Sequence, residues 1–180
     1  MANFNTDVNI IPDRGVSTDQ SARTFIATYG DGYEQRVAAG INNLPEEWRV
    51  SWNNRSTSDA NKVIKFLEDQ KGVTAFDWYP PDTEISSTTT SAATNKLIDT
   101  SQVFTNRLLN TTVTDSGANT ATVTAVDSTT QLTLSSDLMA NNETYTIYPT
   151  KKYKCEQWAT SIPFVGFRTV SATFIKVFEP

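Results

Sequence analysis

The segment from Thr83 to Thr150 differs in composition from everything around it, and this break limits the possible folds more than any other feature. It is rich in threonine and serine, carries few charges, and has no aromatic residue between Phe104 and Tyr145. All four tryptophans, Trp48, Trp52, Trp78 and Trp158, lie in the flanks. One core cannot draw evenly on two such materials, so a body formed by residues 1-82 and 151-180 is expected, interrupted by an insert at 83-150. Within the insert, TATVTAV (Thr120 to Val126) alternates small and apolar residues, QLTLS puts Leu132 and Leu134 on one face, and ETYTIY carries Tyr145 and Ile147. Asp115 to Asn119 and Asp127 to Thr130 supply turn chemistry between them. A small all-β module is the reading, with a disordered threonine-rich linker as its competitor. EISSTTTSAAT (Glu84 to Thr94) is expected as a flexible lead-in. Lengthening a hairpin loop from about five to about seventy residues costs roughly 2 kcal/mol of closure entropy. The strands VTAFDWY (Val73 to Tyr79) and KKYKCEQWA (Lys151 to Ala159) are therefore expected to be neighbours despite the insert.

The body reads as mainly β with one helix. RTFIATY (Arg23 to Tyr29) is β-branched and aromatic, Asp31-Gly32 is a two-residue hairpin signal, and YEQRVA returns the chain to a turn at Gly40. In EEWRVSWN, Trp48, Val50 and Trp52 alternate with Glu47, Arg49 and Ser51, the pattern of a half-buried strand. STSDANKVIKFLEDQKG is the helix: Ser56 to Ser58 offer the N-cap and Asp59 suits the first turn. Ala60, Val63, Phe66 and Leu67 form its apolar stripe, and Gly72 is the stop. FRTVSATFIKVFE closes the chain as a long alternating strand.

Composition removes most chemistry. The 180 residues include no histidine and one cysteine, Cys155, so Ser-His-Asp, Cys-His and the common zinc geometries are excluded. Carboxylates remain, but adjacent Glu46 and Glu47 would point to opposite faces of a strand. Together with Asp7, Asp13 and Asp19 they read as solvated surface acids. The glycines of YGDGYEQRVAAGI (Tyr29 to Ile41) lack the Lys-Ser/Thr ending of a phosphate loop and the alternating acids of a calcium loop. That stretch reads as a turn. No catalytic, cofactor-binding or metal-binding residue is assigned, and the chain is expected not to be an enzyme. Net charge is -5, which argues against specific nucleic-acid binding, and no apolar run reaches membrane-spanning length. The start MANFNTDVNI has neither the basic flank nor the apolar run of an export signal. The aromatics Trp48, Trp52, Phe76, Trp78, Trp158, Phe164 and Phe174 read as core, with a sugar-binding platform as the alternative. Cys155 reads as a buried small hydrophobe.

These stretches also carry a resemblance. The sequence G-D-G-Y-x-Q-R at Gly30 to Arg36, then EEWRVSW, the helix, W-x-P-P at Trp78 to Pro81 and K-C-x-x-W at Lys154 to Trp158 together resemble the minor tail protein M family of lambda-like, long-tailed bacteriophages. Order and spacing agree over about Ala27 to Pro81 and Lys152 to Glu179, and the insert is the departure. The resemblance implies a tail-tube-like β-sandwich with a packed helix, similar to distal tail proteins. It implies a virion structural protein at the distal end of the tail, assembled in the host cytoplasm. Six copies would form a ring joining the tail-tube protein to the tip and baseplate hub while letting DNA pass. On such a ring Gly30, Asp31, Gly32, Tyr33, Gln35 and Arg36 would be read by a neighbouring subunit. An intrachain turn with Arg36 paired to a local acid stands equally beside that reading. The insert is the place where a host-surface glycan would bind, if the chain is instead a binding module.

Overall fold

The computed structural model describes residues 2–40 and 42–178; Ile41 and Glu179, which end two of the stretches above, lie outside them. The chain is mainly β and divides into two compact units, Met1–Trp78 with Lys152–Pro180, and Tyr79–Lys151.

The body begins with a single helical turn, α1 (Phe4–Asp7), capped by the Asn3 side chain, and drives Phe4 into the core. Its strands are β1 (Ser17–Gln20), β2 (Thr24–Thr28), β3 (Glu34–Ala38), β4 (Glu46–Ser56), β5 (Phe76–Trp78), β13 (Lys151–Phe164) and β14 (Phe167–Lys176). Five of them form one sheet in the order β1-β4-β14-β13-β5, so β5 and β13 do pair across the insert. Pairing of β14 with β4 sets Val170 opposite Trp52, Ala172 opposite Val50 and Phe174 opposite Trp48. The alternation seen in EEWRVSWN thus meets the same alternation in β14, and all six side chains are buried on one face.

Helix α2 (Thr57–Gln70) covers that face with Ala60, Val63, Phe66 and Leu67. Its start is set by Ser56, whose Oγ accepts from the Asp59 amide at 3.1 Å while donating to the Asp59 carboxylate. Its end falls where expected: Gln70 is the last helical residue, Lys71 is the C-cap with φ +54, and Gly72 follows at φ +69. Gly72 also lies against β13, where a Cβ would stand 3.4 Å from the Cys155 carbonyl oxygen. The opposite face of the sheet is small and polar, with an open concavity of about 770 Å³ lined by Arg49, Ser51, Gln157, Ser171 and Thr173 among others.

The second unit contains β6 (Ile85–Thr88), β7 (Ser91–Ala93), β8 (Lys96–Ile98), β9 (Thr112–Asp115), β10 (Thr120–Ser128), β11 (Gln131–Leu134) and β12 (Thr144–Tyr148), with a 3-10 turn at Asn106–Leu108. They form one seven-stranded sheet in the order β6-β12-β9-β10-β11-β8-β7. Leu97, Val113, Val123, Leu132, Leu134 and Ile147 supply its core. The Glu84 to Thr94 stretch is not a flexible lead-in: it holds β6 and β7, the two edge strands of this sheet. Hydroxyl chemistry explains the difference. Ser87 Oγ donates to Asp99 at 2.6 Å, and Thr89, which is buried, donates to the Ala140 carbonyl at 2.6 Å. These partners are distant in sequence, so local composition gave no sign of them.

Candidate functional site

β2 and β3 form a two-stranded sheet of their own, in register from Thr24↔Ala38 to Thr28↔Glu34. All ten strand residues are exposed. Phe25 faces Val37 on one side, and Ile26 faces Arg36 on the other. An isolated two-stranded ribbon is at best marginally stable in water, because it has no buried face to offset the entropy of ordering it. This hairpin projects as an arm from the body, and its apolar residues Phe25, Ile26, Tyr29, Tyr33 and Val37 are all uncovered.

The six residues singled out from the sequence lie together at the end of this arm. The turn is a three-residue loop, Gly30 to Gly32, rather than the two-residue Asp31-Gly32 turn expected. The Tyr29 amide donates to the Tyr33 carbonyl at 2.9 Å, and the Gly32 amide donates back to the Tyr29 carbonyl at 3.0 Å. Only Gly32 needs the left-handed region (φ +80), which matches a type I turn followed by a glycine bulge. Tyr29 OH donates to Gln35 Oε1 at 3.2 Å, tying the two strands together. Arg36 grips Glu34 through Nε at 3.0 Å and Nη2 at 2.6 Å, so it is paired to a local acid. Both side chains are exposed, and a pair in water contributes little stability. Tyr33 is 75% exposed, and Asp31 at the turn makes no ion pair among the described residues.

A second exposed apolar surface was passed over in the sequence. β13 and β14 are joined by a two-residue turn, Val165-Gly166, between the paired Phe164 and Phe167. Ile162, Phe164, Val165 and Phe167 are all exposed, Val165 at 99%. The signal was present: IPFVGF keeps the turn glycine, Gly166, but surrounds it with large apolar residues where polar ones are usual. Phe164 therefore does not belong to the core. Five of the other aromatics, Trp48, Trp52, Phe76, Trp78 and Phe174, are buried, and the partly buried Trp158 packs against them.

The carboxylates do not converge on a reaction centre. Asp13 pairs with Arg55 at 2.5 Å and Asp19 with Arg49 at 2.7 Å. Glu46 is not a solvated surface acid. It is buried, and it accepts from Trp48 Nε1 at 2.5 Å and Tyr153 OH at 3.3 Å, with Lys176 Nζ 3.9 Å away. Those donors hold it as a structural anchor, while Glu47 points to the other face. Cys155 is buried, and burial pushes its thiol up to about 11, which leaves it almost wholly protonated at neutral pH. Among the described residues, no group of three or more His, Cys, Asp and Glu side chains is placed to hold a metal ion. No described helix is long and apolar enough to cross a membrane.

Among the described residues, the arm and the tip leave clusters of large apolar side chains exposed. A search of curated proteins returns no match. A family model described as phage minor tail protein matches residues 7–112, which is more than half of the chain and includes the arm, β4 and α2. The chain belongs to the phage minor tail protein family, structural components of the bacteriophage virion.

Proposed function

We propose that this protein forms a ring at the distal end of a phage tail, connecting the tail tube to the tip and baseplate hub and leaving a passage for DNA. The role is structural rather than enzymatic. The observation that carries the proposal is the β2–β3 arm, a ribbon with ten exposed strand residues and no face packed on other described residues. A neighbouring subunit would bury what the chain leaves uncovered. A heterologous contact between identical copies closes into a ring when the rotation allows. Net charge of -5 suits a lumen through which DNA slides, since holding phosphates needs Lys and Arg.

Light scattering on the purified full chain, with negative-stain images of the same fraction, tests this. The expected result is a mass of six copies and annular particles. A monomer that binds neither tail-tube nor hub protein, but that binds sugars on a glycan array, would overturn the ring in favour of a glycan-binding module.

A further inference from the structure

We propose that the β2–β3 arm of one copy packs on the β13–β14 tip of the next, so that the two uncovered apolar surfaces of the body cover each other head to tail. This rests on the ring reading above and supplies its contact.

The first support is where the two surfaces leave the sheet. β1 pairs with β4 from Ser17↔Arg49 to Gln20↔Glu46, so the chain enters and leaves the arm at the first residue of β4. Phe167, at the tip, pairs with Ser56, the last residue of β4. Arm and tip therefore project from opposite ends of one strand of eleven residues, on the order of 33 Å apart at a strand's rise per residue. A self-complementary contact through either surface would leave the other bare. A head-to-tail contact uses both, once per copy.

Their chemistry is matched as well. The arm offers Phe25 and Val37 on one side, Ile26 on the other, and Tyr33 at its end. The tip offers Ile162, Phe164, Val165 and Phe167. The tip is held in place before any partner arrives: the Thr57 amide at the start of α2 donates to the Gly166 carbonyl at 3.1 Å, and Arg168 Nη1 donates to Asn61 Oδ1 at 3.1 Å. Charge agrees in sign. Asp31 at the arm's turn and Arg168 beside the tip are both without an ion pair among the described residues, so each can meet the other across the interface. A receiving surface that is already ordered loses less entropy on binding, which favours it as the docking site for a marginal ribbon.

The chain is suited to a cross-linking test because its one native thiol, Cys155, is buried and protonated. Full-length Tyr33→Cys and Phe164→Cys variants are mixed and treated with a short bismaleimide. A covalent dimer is expected in the mixture, at least tenfold above either variant alone. In parallel, a Phe25→Ser/Val37→Ser arm variant and a Phe164→Ser/Val165→Ser tip variant are each expected to lose assembly while still unfolding cooperatively as monomers. Mixed together they should stop at a dimer, since one intact arm then meets one intact tip and the remaining pair is dead. Wild-type rings without the mixed cross-link would overturn the pairing and leave the ring standing. A mixed cross-link from a wild-type chain that never closes would support the pairing and overturn the ring. Predominant Tyr33→Cys self-cross-linking would show a two-fold contact and overturn the head-to-tail arrangement.

Discussion

The two compact units build their cores from different material. In the body, Phe4, Trp52, Phe66, Phe76, Trp78 and Phe174 form a continuous aromatic network, with ring centroids 5.0 to 6.2 Å apart and many edge-to-face pairs. In the insert the core is aliphatic, and Phe104 and Tyr145 are the buried aromatics. The body's residues come from α1, β4, α2, β5 and β14, so a few large side chains tie distant parts of the chain together. The insert's Thr-Val and Leu-Thr alternations are short and repetitive, and such strands specify register weakly because a two-residue slip preserves the pattern. A polar anchor supplements the pattern at the β6–β12 pair: the buried Asp99 accepts from Ser87 Oγ in β6 at 2.6 Å, Tyr145 OH in β12 at 2.7 Å, and Ser101 N and Oγ at 2.9 and 2.6 Å. One unit is held by shape, and the other adds a polar pin.

The largest test of that contrast is Trp52→Ala. Trp52 is fully buried, and its Nε1 donates to the Ile10 carbonyl at 3.1 Å. Removing it should cost about 3–5 kcal/mol. Every tryptophan lies outside the insert, so fluorescence-detected urea unfolding reads the body selectively. The body's midpoint should fall steeply while amide protection in β9 to β12 persists; joint loss of both would show that the units fold as one.

Asp99→Asn is the matching change in the insert and should cost about 2–3 kcal/mol, since the Ser101 amide then faces a weaker neutral acceptor and charge-assisted hydrogen bonds are lost. Hydrogen exchange in β6 and β12 should rise, with tryptophan fluorescence unchanged. The pH dependence has a definite sign. Burial opposes the charged form of Asp99, but the hydrogen bonds from Ser101, Ser87 and Tyr145 outweigh it and hold the carboxyl below the usual carboxylate range. A lowered folded-state pKa contributes stability above the unfolded value of about 3.9, and that contribution is lost as pH falls below it. The insert should therefore keep its stability from pH 7 to 5 and lose it below about 4. Asp99→Asn should remove only part of the slope, because hydrogen bonds from Asn119 lower Asp115 and those from Lys96 and Thr133 lower Asp127.

The same contrast explains what the sequence made visible. Strong periodicity and local chemistry were legible: the alternation of β4 and β14, the Ser56 cap of α2, and the pairing of β5 with β13. Features that depend on partners far along the chain were not. β6 and β7 are tracts of Ser, Thr and Ala whose anchors lie at Asp99 and Ala140, and Glu46 is buried because Trp48, Tyr153 and Lys176 surround it. The arm was legible as a hairpin but not as a bare one, because β-branched and aromatic residues form the same local ribbon whether or not anything packs on it.

That last point gives the smallest expected effect. Phe25→Ser with Val37→Ser removes two large side chains from the arm, yet both are exposed and neither contributes to the body's core. The unfolding midpoint should move by less than about 0.5 kcal/mol per substitution, the range for surface positions with no packing to lose. The same two changes in a core strand such as β14 would cost several times more. A loss above 1 kcal/mol each would mean that the arm folds back on its own sheet, and the contrast between a packed body and an unpacked arm would fail. No loss in the monomer, together with loss of assembly, would put the energy of these side chains in the contact with another copy.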